Sequence, residues 1–188
     1  MKNGKSHLRN EFLLKRKKKY LSSKNFNFNL IFKLIKKHFK NKKITIAGYY
    51  PSNYEVNILN FLKKATKNKY KIVLPVLSSN ISMSFKSWVS NQPLYVNKFG
   101  MLEPRNTKEN IIPDLVMVPL VAFDNQLNRI GYGKGFYDRS LKKIKKVKNQ
   151  TLFLGIAYSF QKCKNIPINK HDFKLDYIFT ERGIINSN

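Results

Sequence analysis

Apolar residues spaced three and four positions apart predict amphipathic helices in the N-terminal part of the chain. Leu8 and Phe12 share one face of a predicted helix over Ser6–Lys19, which is otherwise mostly charged. A second predicted helix follows, with apolar positions at Phe28, Ile31, Phe32, Ile35 and Phe39. A third helix is expected to begin at Glu55.

Longer apolar runs along the chain are typical of buried strands. The runs are Ile44–Tyr50, Lys71–Leu77, Leu115–Phe123, Thr151–Tyr158 and Tyr177–Thr180. Ser82–Val89 alternates between apolar and polar residues, as a half-exposed strand does. Strands that alternate with helices predict an α/β fold with a largely parallel sheet. We therefore expect a single three-layer αβα domain over residues 1–188.

Composition limits the class of protein further. Hydrophobic residues make up 42% of the 188 residues, which is enough to build a core. The single cysteine, Cys163, excludes an internal disulfide and a zinc site made of cysteines, and we expect a passive thiol. Since no apolar stretch is long enough for a membrane span and the N-terminus is too basic for a signal peptide, we expect a cytoplasmic protein.

The net charge of +27, from 37 basic and 10 acidic residues, is compatible with nucleic-acid binding. Lysine predominates, however, together with asparagine and isoleucine, as in proteins encoded by AT-rich genomes, and the lysines are spread along the whole chain. The charge alone therefore leaves a nucleic-acid role open. In so basic a chain, Glu55, Asp138, Asp172 and Asp176 are the acids whose placement calls for a reason.

The clearest candidate site follows the apolar run Leu115–Phe123. Arg129 precedes Gly131, Gly133 and Gly135, and a basic helix pattern begins directly after them. Glycines allow close approach of the backbone to an anion, and a helix start offers free N–H groups to it. The spacing matches neither the dinucleotide-binding signature nor the Walker signature. A glycine-rich turn that enters a surface helix is the structural alternative.

Four further residues are candidates for ligand contacts. Lys5 and Arg9 lie four residues apart and could both reach a polyphosphate, although they could equally be solvated charges. Glu55 follows a predicted parallel strand, where open α/β sheets bind ligands, but it could also serve only as a helix-dipole partner. Asp138 could hold a hydrated Mg²⁺ beside phosphates bound at the glycine loop.

Together these segments resemble the 5-formyltetrahydrofolate cyclo-ligase family, also called methenyltetrahydrofolate synthetases. The strongest part is PLVAFDNQLNRIGYGKGFYDRSL, close to the family pattern P-x-x-x-F-D-x-x-x-x-R-[LI]-G-x-G-x-G-[FY]-Y-D. Weaker matches follow the family's order: KSHLR, YYPSNYEVN, FGMLEP and IPINKHDFKLDYIFT. The resemblance covers nearly the whole chain and implies a Rossmann-like sheet of the NagB/RpiA/CoA-transferase type.

The resemblance also implies an activity. Members of the family convert 5-formyltetrahydrofolate and ATP, with Mg²⁺, into 5,10-methenyltetrahydrofolate, ADP and phosphate. ATP phosphorylates the formyl oxygen, and the folate N10 then attacks the activated carbon. No membrane or specific nucleic-acid partner is implied, and we expect a monomer.

Roles for individual residues follow from the same resemblance. The predicted catalytic residues are Arg129, Lys134 and Tyr137. The predicted ATP site comprises Lys5, Arg9, Arg129, Ile130, Gly131, Tyr132, Gly133, Lys134, Gly135, Phe136 and Tyr137. The predicted folate site comprises Tyr50, Glu55, Tyr132, Gly133, Lys134, Gly135 and Phe136. Asp138 and Asp172 match the magnesium ligands, and Asp176 is expected to be structural.

Three alternatives remain at this point. The first is a nucleic-acid-binding protein that uses its lysines, although it leaves the glycine loop, Asp138 and Asp172 without a role. The second is another enzyme that handles ATP or a phosphosugar on a similar fold. The third is a member of the family that binds folate without catalysing the reaction.

Overall fold

A computed structural model describes residues 2–22, 25–40, 42–77, 82–105, 107 and 109–186, without the side chains of residues 2 and 3. The helices are α1 (Lys2–Lys19), α2 (Asn29–Phe39), α3 (Leu59–Lys67) and α4 (Phe136–Val147), with a 3₁₀ turn at Ser159–Gln161. The strands are β1 (Thr45–Ala47), β2 (Lys71–Leu77), β3 (Met83–Ser87), β4 (Tyr95–Val96), β5 (Leu102–Glu103), β6 (Leu115–Pro119), β7 (Ala122–Phe123), β8 (Arg129–Ile130), β9 (Leu152–Ile156), β10 (Tyr177–Thr180) and β11 (Gly183–Asn186).

The central sheet has seven strands in the order β11-β10-β9-β6-β1-β2-β3. The five inner strands run parallel, in a register that pairs Ile46 with Leu115 and with Ile72. The outer strands β3 and β11 are antiparallel to their neighbours. The chain proceeds outward from β1 in one direction through β2 and β3, and in the other through β6, β9 and β10. The point where the order reverses therefore lies between β1 and β6, where ligands bind in open α/β sheets.

Helices cover both faces of this sheet. On one face α2 and α3 bury Ile31, Ile35, Phe61 and Leu62 against it. On the other face α4 contributes Leu141 and Ile144 to a second core. A third cluster joins Phe12 of α1 to Val121, Ala122 and Ile130 around the β7–β8 hairpin. This last cluster fixes the position of α1, which carries two of the predicted ATP ligands.

The α/β class and the mostly parallel sheet are confirmed, with corrections to single elements. The apolar run Leu115–Phe123 is not one strand, because the chain leaves the sheet after Pro119. There the carbonyls of Leu120 and Val121 each accept a hydrogen bond of 2.8 Å from the Gln161 amide rather than from a neighbouring strand. The β4–β5 and β7–β8 hairpins and the edge strand β11 were not predicted.

The prediction that Glu55 opens a helix is wrong. The helix α3 begins at Leu59, whose N–H donates to Asn57 Oδ1 at 3.0 Å. Glu55 closes a turn instead: its N–H donates to the Ser52 carbonyl at 2.8 Å, and its carboxylate accepts from Ser52 N–H at 2.9 Å. The side chain therefore serves the loop after β1 and not the helix dipole.

Two smaller predictions concern the thiol and the membrane. Burial, followed by the charge of Asp124, raises the pKa of the Cys163 thiol to about 11, so the thiol is protonated at neutral pH, in agreement with a passive role. The neighbouring lysines do not activate it. No helix within the described ranges is both long and apolar enough to cross a membrane.

Candidate active site

A cavity of about 600 Å³ opens at the carboxyl ends of the parallel strands. Tyr49 and Tyr50 after β1, Leu77 at the end of β2 and Pro119 at the end of β6 line its floor. Its volume lies within the range of pockets that bury a small organic ligand. The cavity thus occupies the switch point of the sheet, where such a fold binds its substrates.

The structure brings all the predicted site residues to this one cavity. Its lining includes Lys5, Arg9, Tyr50, Glu55, Arg129, Ile130, Gly131, Tyr132, Gly133, Lys134, Gly135, Phe136, Tyr137, Asp138 and Asp172. They come from α1, from the loop after β1, from the segment between β8 and α4, and from the loop before β10. Residues far apart in the sequence therefore face the same space.

The glycine loop has a backbone that side chains would disturb. Gly133 has a φ of +92°, and a Cβ there would lie 3.2 Å from Arg9 Cζ. Gly135 has a φ of +68° and precedes the first residue of α4. Arg9 Nε also donates to the Gly131 carbonyl at 2.8 Å. The absence of side chains thus allows an arginine of α1 to lie directly against the loop.

An ion pair connects the start of this loop to α4. Arg129 Nη2 donates to Asp138 Oδ1 at 2.8 Å, and the Arg129 side chain is only 3% exposed. Its Nε is buried without a hydrogen-bond partner, although buried polar atoms are normally paired. The guanidinium also lies 5.8 Å from the centre of the Tyr137 ring. An unpaired donor beside an anion-binding loop is consistent with a ligand that supplies acceptor oxygens.

A second ion pair closes the cavity at the N-terminus of α1. Lys5 Nζ contacts Asp172 Oδ2, which also accepts from the N–H of Asn169 at 2.7 Å. The loop that bears Asp172 before β10 is thereby joined to α1. Asp176 lies outside the cavity and accepts from Phe153 N–H at 2.8 Å. The two acids that looked equivalent in sequence therefore have different surroundings.

The donor set at Asp138 and Asp172 suits a hard cation. Both are carboxylates, which Mg²⁺ prefers, and both line the cavity that the glycine loop enters. Among the residues that the structure describes, no group of three or more His, Cys, Asp or Glu side chains is arranged to hold a metal ion. The pair therefore fits Mg²⁺ that keeps most of its ligands as water and phosphate, and does not fit a cage made by the protein alone.

Glu55 is held at the opposite side of the glycine loop by a strained turn. Asn53 and Tyr54 have positive φ angles of 46° and 62°, a conformation that costs about 1–3 kcal/mol for residues other than glycine. The Tyr54 ring lies 4.6 Å from that of Tyr20. The turn directs Glu55 Oε1 to the hydroxyl of Tyr132, which donates to it at 2.9 Å. Strain of this kind is typical of functional sites.

Comparison with known proteins decides the family. The model of the 5-formyltetrahydrofolate cyclo-ligase family matches residues 1–181. The chain belongs to this family. It is therefore an enzyme of the cyclo-ligase class, as the glycine-loop pattern predicted.

Individual members of the family agree along most of the chain. The 5-formyltetrahydrofolate cyclo-ligase of Mycoplasma genitalium is 31% identical over 181 residues, which cover 93% of this chain and 96% of that protein. The solved 5,10-methenyltetrahydrofolate synthetase of Aquifex aeolicus superposes with a TM-score of 0.76 at 31% identity, over 98% of this chain and 93% of that one. The synthetase of Mycoplasma pneumoniae gives a TM-score of 0.67 at 28% identity, over 95% of this chain and 99% of that one.

Burial raises the pKa of Glu55 and of two tyrosines in the cavity of this cyclo-ligase fold. Desolvation raises the pKa of Glu55, and the hydrogen bond from Ser52 N–H opposes that rise. Desolvation and the nearby charge of Glu55 raise the pKa of Tyr132 and of Tyr137 well above the ordinary value. Both tyrosines are therefore neutral at physiological pH, so their hydroxyls can act as hydrogen-bond donors.

Sequence reasoning missed four residues that shape the site. Tyr49 is buried and donates to the Val56 carbonyl at 2.8 Å, which fixes the loop that bears Glu55. Glu103 lines the cavity and accepts from Asn97 Nδ2 at 2.9 Å. The Phe99 ring meets Phe136 at 5.6 Å. Their positions depend on tertiary contacts that have no sequence periodicity.

Arg16 is the fourth missed residue, and here the sequence did contain a signal. It follows Lys5, Arg9 and Phe12 at helical spacing, so all four share one face of α1. Phe12 is buried on that face, and Arg16 lies one turn further along it. Arg16 is 1% exposed and contacts the hydroxyl of Tyr132.

Proposed function

We propose that this chain catalyses the cyclisation of 5-formyltetrahydrofolate to 5,10-methenyltetrahydrofolate, with conversion of ATP to ADP and phosphate and with Mg²⁺. The observation that carries the proposal is one cavity with two chemically distinct sides. The Glu55 carboxylate is bound by Tyr132 of the glycine loop, whereas Arg9 donates to Gly131 of that loop and lines the cavity together with Lys5 and Arg129. A bicyclic ring with N–H donors and a polyphosphate can bind there side by side.

The folate ring is assigned to the Glu55 side. Tyr132 donates to Oε1 and Ser52 N–H to Oε2, so both oxygens are held by the protein and each retains accepting capacity. A rigid carboxylate suits two parallel N–H donors, as the pterin presents them. Tyr50 lines the same side and can pack its ring on the pterin.

The ATP phosphates are assigned to the glycine loop and the cations around it. Gly133 and Gly135 allow the backbone to approach the phosphate oxygens, and α4 begins directly afterwards. Arg9 lies against the loop, and Arg129 places a second guanidinium there, with its Nη1 3.0 Å from where a Cβ on Gly131 would lie. Lys134 is exposed at the cavity mouth, where its ammonium can follow the phosphate that is transferred.

The reaction then proceeds in two steps. The formyl oxygen on N5 attacks the γ-phosphorus, the bond to the β-phosphate oxygen breaks, and ADP leaves. N10 next attacks the activated formyl carbon, loses its proton, and the C–O bond to phosphate breaks to give the cyclic amidinium. The residues around the loop hold the two substrates in contact and stabilise the charge on the γ-phosphate.

Mg²⁺ would be held by Asp138 and Asp172 and would neutralise charge on the ATP phosphates. The Arg129–Asp138 pair keeps this carboxylate in place at the start of α4. The Lys5–Asp172 pair does the same for the loop before β10. Tyr137 is neutral and lies beside Arg129, where its hydroxyl can donate a hydrogen bond to a substrate oxygen.

A spectrophotometric assay tests the proposal. Protein, ATP and Mg²⁺ are mixed with 5-formyltetrahydrofolate, and the near-ultraviolet absorbance of the methenyl product is followed. We expect a rise that requires both ATP and Mg²⁺ and is lost in Asp138→Ala. Glu109→Gln is the matched control, because it alters an exposed carboxylate whose ion pair with Lys71 is remote from the cavity. Folded protein that gives no absorbance change would refute the proposal.

The alternative functions leave parts of this cavity without a role. A nucleic-acid-binding role leaves the glycine loop and the two aspartates unused, and a phosphosugar enzyme leaves the strained Glu55 turn unused. The family favours folate over both. A monomeric state and a cytoplasmic location stay predictions, to be checked by sedimentation and by localisation of the expressed protein.

A further inference from the structure

Arg16 is buried behind the cavity without a carboxylate partner of its own. Its side chain is 1% exposed, its Nη1 donates to the Leu120 carbonyl at 3.2 Å, and its Nε has no hydrogen-bond partner. In the described part of the chain, no acid forms an ion pair with it. A buried cation of this kind costs folding free energy, so its position requires an interaction that justifies it.

That interaction runs through the hydroxyl of Tyr132. Arg16 Nη2 contacts this hydroxyl, and Tyr132 in turn donates to Glu55 Oε1 at 2.9 Å. The guanidinium also lies 5.5 Å from the centre of the Tyr132 ring. Glu55 is therefore the counter-ion of Arg16, and the Tyr132 side chain lies between the two charges.

The directions of these hydrogen bonds follow from the donor inventory. An arginine has no acceptor, so the Tyr132 oxygen must accept from Arg16, and the single hydroxyl proton of Tyr132 must point to Glu55. Ser52 N–H donates to the other carboxylate oxygen at 2.9 Å. Both oxygens of Glu55 thus face donors. If Glu55 were protonated, its own O–H would point at one of these donors, and one hydrogen bond would be lost.

We propose that Arg16 is a positioning residue for folate binding: through the Tyr132 hydroxyl it holds the Glu55 carboxylate ionised and fixed in direction. The inference rests on the proposed folate-binding role of Glu55. Without Arg16, the Tyr132 hydroxyl is free to turn, and its oxygen can then accept a hydrogen bond from a protonated Glu55 carboxyl. The carboxylate then loses both its orientation and its preference for the ionised form.

The groups around Glu55 identify Arg16 as the cation that acts on it. Glu55 is faced by Tyr132 of the glycine loop, Tyr49 after β1, Tyr137 of α4 and Tyr158 after β9, and the pKa of each of these tyrosines is raised. They are neutral at physiological pH. Burial raises the pKa of Glu55, while the hydrogen bonds from Ser52 N–H and from Tyr132 lower it, and the charge of Arg16 lowers it further.

The experiment compares Arg16→Met with Lys17→Met, which removes one exposed cation from the same helix. The affinity for 5-formyltetrahydrofolate is measured by calorimetry without ATP, as a function of pH. The side-chain carboxyl of Glu55 is titrated by carbon NMR in the absence of ligand; the chain has only four other glutamates, Glu11, Glu103, Glu109 and Glu181, so its resonance can be assigned by mutation.

We expect Arg16→Met to weaken folate binding by about 10- to 100-fold at neutral pH, the range of one charge-assisted hydrogen bond. Its Glu55 should titrate at higher pH than in the wild type. Lys17→Met should match the wild type in both measurements, and Arg16→Lys should lie between. The value of kcat at saturating folate should change much less than KM.

A double-mutant cycle separates this role from a merely structural one. If Arg16 acts through Tyr132, the two substitutions Arg16→Met and Tyr132→Phe should be strongly non-additive in the free energy of folate binding. Additive effects, or an unchanged Glu55 titration in folded Arg16→Met, overturn the inference. If Arg16→Met does not fold, Tyr132→Phe breaks the same link, and an unshifted Glu55 titration there overturns it equally. A wild type that does not bind the folate refutes the proposed function instead.

Discussion

Arg129 Nη2 lies 2.8 Å from Asp138 Oδ1, so the first residue of the anion loop and a predicted magnesium ligand form one ion pair. Arg129→Met removes a buried cation from the proposed ATP site and leaves Asp138 without its partner. We expect kcat/KM to fall by about 10²–10³-fold, as for the loss of a donor that stabilises transition-state charge. Steady-state kinetics with varied ATP measure the loss.

Arg129→Lys is the informative companion of this variant. A lysine keeps the charge, but it cannot contact Asp138 and a phosphate with two separate nitrogens. The lysine variant should therefore recover only a small part of the activity. Activity close to the wild type in Arg129→Lys would show that charge alone suffices and that the paired geometry is unimportant.

Gly133 is the second position where geometry makes a sharp prediction. Gly133→Ala places a Cβ 3.2 Å from Arg9 Cζ at a φ of +92°, so the side chain of Arg9 must move away from the loop. We expect the KM for ATP to rise about 10-fold, which corresponds to one weakened charge-assisted contact. The backbone strain should also cost about 1 kcal/mol of the free energy of unfolding.

Gly183→Ala is the matched control for that strain. Gly183 has a φ of +126° at the start of β11, and a Cβ there meets no atom within 4 Å. This variant should lose a similar free energy of unfolding in denaturant titrations and keep the wild-type KM for ATP. An equal rise of KM in both variants would mean that strain, and not the position of Arg9, determines ATP affinity.

The parts of the site that could be predicted are those encoded by local patterns. The strand, the glycine loop and the helix around Gly131 and Asp138 follow from hydrophobic runs and from glycine spacing, and the structure has this order. The Glu55 turn was mistaken for a helix start, because its hydrogen bonds to Ser52 and Tyr132 depend on residues that local propensity does not consider. The β7–β8 hairpin was also missed, because β7 lies at the end of the apolar run Leu115–Phe123, which by itself predicts one continuous strand.

Replacement of Lys5 should have opposite effects on the affinities for nucleotide and for metal. Its ammonium is the partner of Asp172, and it is also a predicted phosphate ligand. Lys5→Met should raise the KM for ATP about 10-fold. Because the variant frees the carboxylate of Asp172, it should bind Mn²⁺ without nucleotide a few-fold more tightly than the wild type. Paramagnetic resonance of free Mn²⁺ measures the metal affinity.

Lys18→Met controls for the overall loss of one positive charge from α1. Lys18 is exposed in the last turn of the helix, and its loss should change neither ATP nor Mn²⁺ binding. If Lys5→Met weakens Mn²⁺ binding as ATP binding weakens, the ammonium does not compete with the metal for Asp172. The carboxylate would then need its lysine to stay in place.

The pH dependence of folate binding depends on Glu55. Burial raises its pKa above the ordinary value, so the group takes up a proton at a less acidic pH than an exposed glutamate. The protonated form cannot accept from two N–H donors. The affinity for 5-formyltetrahydrofolate should therefore be full above the folded-state pKa of Glu55 and should fall as the pH decreases through it. Calorimetry across the mildly acidic range measures this.

Two comparisons assign that decrease to Glu55 itself. In Glu55→Gln the affinity should be low at every pH and nearly independent of it, because no carboxylate remains to titrate. Binding of a non-hydrolysable ATP analogue should not follow the same titration, since Glu55 is not among its predicted ligands Lys5, Arg9 and Arg129. A Glu55→Gln variant that retains the full pH dependence would place the titrating group on the folate or elsewhere in the cavity.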